Sequence, residues 1–134
     1  MDKIEVFEPY HQHLLLKCWM TNPPKKEEQL NKWFIHLVDS VGMKVVAGPT
    51  SVYVSDPGNE GLTGTVTLAT SHASIHIWDH YELPMAQFDI YSCKCFTLDT
   101  VLKCFEPFGI VKAEWVMIDR NGSPVITESG VWEG

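Results

Sequence analysis

The stretch LATSHASIHIWDH, residues 68–80, decides how the middle of the chain is read. Read as a helix, it stacks His72, His76 and His80 at i, i+4 and i+8, a face suited to a metal. Read as a strand, it sets His72, Ser74, His76 and Trp78 on one side and Ala73, Ile75 and Ile77 on the other. Strict alternation and the β-branched isoleucines favour the strand. The metal-binding module is therefore set aside, and no metal is expected. The CKC run at 93–95 does not restore it, because structural zinc sites usually bring two paired clusters.

Outward from this strand, LTGTVTLA (62–69) also alternates, with Leu62, Gly64, Val66 and Leu68 opposed to Thr63, Thr65 and Thr67. HLLLKCWM (13–20), ASIHIW (73–78), AQFDIYS (86–92) and IVKAEWVMI (110–118) read as further strands. KVVAGPTSVYV (44–54) suggests strand, turn and strand, and SDPGNEG (55–61) a loop. Residues 21–42 carry an apolar stripe of Leu30, Trp33, Phe34, Leu37, Val38 and Val41 at helical spacing. Asn22 is placed to cap this helix, Pro23 suits its first turn, and Gly42 suits its left-handed stop. TLDTVLKCF (97–105) is a short helix capped by Thr97. DRNGSP turns the chain into a tail, after about Arg120, with no assigned element. The pattern implies an α/β (α+β) two-layer sandwich: a mostly antiparallel sheet with both helices on one face. The other face is left to line a site or meet a partner.

The 134 residues are 45% hydrophobic, which fits one domain over 1–134. A net charge of −7 argues against nucleic acid, whose phosphates are met mainly by Lys and Arg. MDKIEVFEPYHQH shows no leader pattern and no segment approaches a membrane span, so a cytoplasmic chain with no membrane partner is expected. Cys18, Cys95 and Cys104 read as structural thiols in a reducing compartment. His11 and His13 form a strand-spaced pair with no specific role, and His72 reads as a packed or capping histidine.

Two motifs in order then carry a resemblance. Ser71-His72-Ala73-Ser74-Ile75-His76-Ile77-Trp78 is followed by Asp89-Ile90-Tyr91-Ser92-Cys93. From about residue 13 to Arg120 the chain resembles the prokaryotic-type S-adenosylmethionine decarboxylases, proenzymes that cut themselves before a serine.

The resemblance implies cleavage between Thr70 and Ser71, with Ser71 becoming a covalent pyruvoyl group that forms a Schiff base with the substrate. It implies that Thr63 and His76 assist processing, that Cys93 donates a proton after decarboxylation, and that Trp78 stacks the adenine. The implied substrate is S-adenosylmethionine, the product serves polyamine (spermidine) synthesis, and a homodimer completes each site. The sequence departs from the family at Thr70, where Glu is usual, and at Trp78-Asp79-His80, where Trp-Pro-Glu is usual. The ribose-binding carboxylate is thus missing at its aligned position; Asp79 or Glu82 stands in for it, and Tyr53 is the candidate second stacking aromatic. These departures leave two alternatives: a pyruvoyl decarboxylase of another amino acid such as arginine or ornithine, and a non-processing homologue acting as a binding or regulatory subunit.

Overall fold

The computed structural model describes residues 10–134; residues 1–9, on which most of the leader reading falls, lie outside the described residues. Seven strands form one antiparallel sheet: β1 (Gln12–Met20), β2 (Val45–Val54), β3 (Gly61–Leu68), β4 (Ser71–Trp78), β5 (Met85–Ser92), β6 (Ile110–Asp119) and β7 (Val125–Glu133). Their order across the sheet is β2-β3-β4-β5-β1-β6-β7. Two helices, α1 (Glu27–Ser40) and α2 (Leu98–Cys104), cover one face. This is the expected two-layer α+β sandwich.

Period-two patterning sets the sidedness. Leu14, Leu16, Cys18 and Met20 of β1, Ala73, Ile75 and Ile77 of β4, and Ala86, Phe88 and Ile90 of β5 all point under the helices and are buried. Trp33 of α1 is the hub: its ring lies 4.9–5.8 Å from those of Phe34, Phe88, Phe105 and Phe108. Its indole N–H donates to Cys104 O at 2.7 Å, so the one polar atom of a buried tryptophan is satisfied. Gly64 of β3 lets α1 sit close, since an added Cβ would lie 2.8 Å from Leu30 Cδ2 and Phe34 Cε2. α1 ends as expected at Gly42 (φ +72°), where Met43 N–H bonds Val38 O and Gly42 N–H bonds Asp39 O.

Three expectations are corrected. α1 starts at Glu27 with Lys26 at the N-cap, and that cap makes no side-chain bond. Asn22 instead bonds Phe108 O through its backbone and Pro107 O through its amide, and a residue before a proline is pushed out of the helical region. The strand–turn–strand at 44–54 is one strand, β2, with register irregularities between Val45 and Thr50 that Gly48 (φ +85°) accommodates. The tail is a seventh strand: β7 pairs with β6, and Gly130 packs beneath the Trp115 ring. Most of β7 is exposed, so burial writes no alternation into its sequence.

Candidate active site

β3 and β4 are joined by Ala69 and Thr70 alone, because Leu68 pairs with Ser71 across the ladder. Thr70 has φ +69°, a left-handed conformation that a β-branched residue rarely adopts. Strand parity turns Ser71 to the helix-covered side with Ala73, and it is 7% exposed. Cys93, just past β5, donates its N–H to Ser71 Oγ at 3.0 Å. Its thiol lies against Thr70 Oγ1 at 2.7 Å and near Ala69 O at 3.9 Å. Thr70, Ser71 and Cys93 are thus brought together at one end of the sheet.

Thr63 and His76 face each other across β3 and β4 on the opposite, uncovered side. Thr63 Oγ1 meets His76 Nδ1 at 2.5 Å. His76 Nε2 is buried and has no hydrogen-bond partner among the described residues. Burial pushes the imidazole pKa below its usual value, although Asn59 and Asp79 pull it up, which favours the neutral ring. The pair borders a depression of about 550 Å³ lined also by Thr65, Ser74, Gln87 and Asp89. Positions 71 and 76 stand about 17 Å apart along the strand and on opposite faces. Within one chain, therefore, His76 does not reach Ser71.

A third cluster sits at the far end of β4. Trp78 donates to Asn59 Oδ1 at 3.0 Å, and the Tyr81 ring lies 6.4 Å away at 19° to it. Tyr53 OH donates to both oxygens of Asp79 at 3.0 and 3.1 Å. The Asp79 carboxylate is fully buried, and His80 bridges it to Glu60, at 3.4 and 3.1 Å. Tyr53 and Asp79 therefore meet each other, while Glu82 stays exposed on a polar depression that Asp79 and Tyr81 also line, with Lys25 and Lys26. Tyr81, Glu60 and Asn59 are additions to the residues read from sequence. Trp78-x-x-Tyr81 was visible as spacing, but only the turn after β4 brings the rings alongside.

The three histidines at 72, 76 and 80 do not gather: β4 is a strand, and His80 lies beyond its end. His72 is 53% exposed rather than packed. A different group forms on the uncovered face, where His13 Nε2, His72 Nε2 and Asp89 Oδ2 lie within 4.8 Å of one another. His13 contacts Asp89 at 2.8 Å, and Ser74 Oγ donates to the other carboxylate oxygen. Burial would raise the Asp89 pKa, but these hydrogen bonds and the nearby imidazoles lower it on balance. Arg120 Nη1 lies 3.2 Å from His13 Nδ1. A guanidinium only donates, so this contact places the His13 proton on Nε2, toward Asp89. A metal-binding imidazole needs the reverse arrangement, so the group reads as a hydrogen-bonded cluster around the Asp89 carboxylate. The strand-spaced His11 and His13 were legible, yet their pairing with β5 was not; His11 Nδ1 meets Tyr91 OH at 2.6 Å.

The family model for S-adenosylmethionine decarboxylase matches residues 12–121, from the start of β1 to just past β6. The chain belongs to the S-adenosylmethionine decarboxylase family. A relative from Methanococcus vannielii, named S-adenosylmethionine decarboxylase proenzyme, is 29% identical over 84 residues, covering 61% of this chain and 64% of that protein. One from Methanococcus maripaludis, with the same name, is 27% identical over the same extent. The similarity thus spans less than two thirds of each relative's length. Within this decarboxylase family chain, β7 lies outside the matched region. No helix among the described residues is long and apolar enough to cross a membrane.

Proposed function

We propose that this chain is a self-processing decarboxylase of S-adenosylmethionine, acting as one domain over 1–134 and supplying an aminopropyl donor for spermidine synthesis. The observation that carries the reading is the meeting of the Thr70–Ser71 peptide with Cys93 at the β3–β4 turn. Ser71 Oγ attacks the Thr70 carbonyl carbon, its proton passes to the amide nitrogen, and the C–N bond breaks as the ester forms. Loss of the Ser71 Cα proton then expels Thr70 as a carboxylate, leaving a dehydroalanine. Addition of water and loss of ammonia leave a pyruvoyl amino terminus on 71–134.

The residues present fit that group: Ser71 is held by Cys93 N–H, and the Cys93 thiol stands beside the same turn. A pyruvoyl carbonyl supplies the electron sink that pyridoxal phosphate provides elsewhere. Cys93 holds a proton at Sγ for the substrate carbon once carbon dioxide has left. Trp78 and Tyr81 offer nearly parallel faces for stacking an adenine. Asp79 is engaged by Tyr53 and His80, so Glu60 and Glu82 are the nearby carboxylates with more solvent contact.

The separation of Ser71 from Thr63 and His76 supports a homodimer. A neutral His76 on the uncovered face of one copy can serve the Thr70–Ser71 junction of another. Four free thiols fit a reducing cytoplasm.

Denaturing mass measurement of the wild-type chain beside Ser71→Ala tests the reading. Fragments 1–70 and 71–134 are expected from the wild type alone, the second blocked to amino-terminal sequencing. Carbon dioxide release by the processed protein is then compared for S-adenosylmethionine, arginine and ornithine. An intact wild-type chain, or release from the amino acids only, overturns it. Mixing Ser71→Ala with His76→Ala chains is expected to restore cleavage of the latter.

A further inference from the structure

The β3–β4 connection carries the wrong residue for its turn. Only Ala69 and Thr70 span it, and two-residue hairpin loops take Gly, Asn or Asp where φ is positive. Thr70 holds φ +69° and is the single non-glycine residue in that region among the described residues. Its branched Cβ crowds the neighbouring carbonyl there, which Gly avoids and Asn tolerates. The surroundings hold it in place. Thr70 Oγ1 is turned onto Ala69 O and Cys93 Sγ, Ala69 N–H bonds Lys44 O at 3.0 Å, and Cys93 N–H bonds Ser71 Oγ. Conformations of this kind persist only where several contacts over-determine them, and they cluster at reactive sites.

We propose that Thr70 is a positioning residue that loads the Thr70–Ser71 peptide bond for cleavage through its left-handed backbone. The inference rests on the self-processing proposed above. When Ser71 Oγ bonds to the Thr70 carbonyl carbon, the C–N bond breaks and the Oγ proton moves to the freed nitrogen, with no oxidant or reductant involved. The ester path runs through Ser71 Cβ and Oγ, so the connection between β3 and β4 lengthens. Thr70 can then return to negative φ. Strain present in the peptide and relieved on the way to the ester lowers the barrier between them. Threonine at this position serves the reaction because it is a poor turn residue.

The test uses Thr70→Gly and Thr70→Val in the full chain, each also combined with Ser71→Ala to block cleavage. The rate at which the 71–134 fragment appears is read by denaturing mass measurement, and the thermal midpoint is read in the Ser71→Ala pair. Thr70→Gly is expected to cleave at least about tenfold more slowly than wild type, a barrier change of about 1.4 kcal/mol. Its uncleavable form is expected to melt higher than Ser71→Ala alone. Thr70→Val, still β-branched, is expected to cleave at least about tenfold faster than Thr70→Gly. Equal rates for wild type and Thr70→Gly overturn the proposal while leaving self-processing intact. A slower Thr70→Gly that melts lower also overturns it, since a loosened hairpin would then be the cause. An intact wild-type chain overturns the processing reading and this proposal together.

Discussion

The two faces of β4 are written in alternate residues of one strand, and they do opposite things. On the helix-covered face, Ala73, Ile75 and Ile77 join a closed hydrocarbon core with Phe34, Phe88 and Trp33. On the uncovered face, Ser74 and His76 join Thr63, His13 and Asp89 in hydrogen bonds that leave one buried imidazole nitrogen, His76 Nε2, unpaired, and His72 lies 3.7 Å from Asp89. The first face owes its stability to volume and contact, the second to donor and acceptor pairing. Ser71 crosses the distinction: it shares the parity of the core residues, but it stands at the strand's end, where Cys93 supplies a polar partner. The Ser71 hydroxyl sits on the core face where that face stops and a backbone N–H can meet it.

The comparison can be broken most forcefully on the covered side. Phe34→Ala removes a fully buried ring and is expected to cost about 3–5 kcal/mol in urea unfolding. Gly64→Ala drives a methyl into Leu30, Phe34 and Ser51 and is expected to cost about 1–3 kcal/mol, with β3 and α1 moving apart. On the uncovered side the effects are smaller and polar in kind. Ser74→Ala withdraws a donor from Asp89, which is expected to cost about 1 kcal/mol. The same change should raise the Asp89 pKa in an NMR titration, because it removes a bond to the charged form.

Acid sharpens the contrast further. The folded state lowers the His76 pKa, so between that value and the unfolded value near 6.5 the unfolded chain binds more protons. Stability carried by the neutral ring is therefore complete above about pH 6.5 and declines as pH falls below it. Chemical unfolding at pH 7 and pH 5 should show His76→Gln losing less on acidification than the wild type. Leu15→Ser is the mildest change: Leu15 is 42% exposed on the uncovered face, so single-chain stability should move by less than about 0.5 kcal/mol. Sedimentation should nevertheless show weakened self-association if that face meets a second copy.

Local pattern explains what could be read in advance. The alternation of β3, β4 and β5 and the apolar stripe of α1 are periodic, and each buries one side. β7 and the start of α1 were missed for related reasons. β7 is mostly exposed, so little burial patterns it, and Asn22 gives its hydrogen bonds to the turn after α2 instead of to the helix. In the candidate site, Ser71, Cys93, His76 and Thr63 come from the family resemblance, and Tyr53 and Asp79 are its stand-ins where the sequence departs from the family pattern. Their grouping was not legible, because grouping depends on which strands become neighbours.

The sequence by itself determined which residues face the helices, where the strands of the hairpin lie, and which family pattern the chain carries. The first two follow from the two-residue and 3.6-residue periods of strand and helix, which operate within a few positions, and the third from the two motifs at 71–78 and 89–93. Only the tertiary structure decided that Cys93 meets the Thr70–Ser71 junction, that His13 joins Asp89, and that Thr70 is held left-handed. Those facts depend on inter-strand register and on contacts between residues 23, 76 and 107 positions apart. No local preference encodes such contacts, and packing can hold a residue in a conformation that its own side chain disfavours.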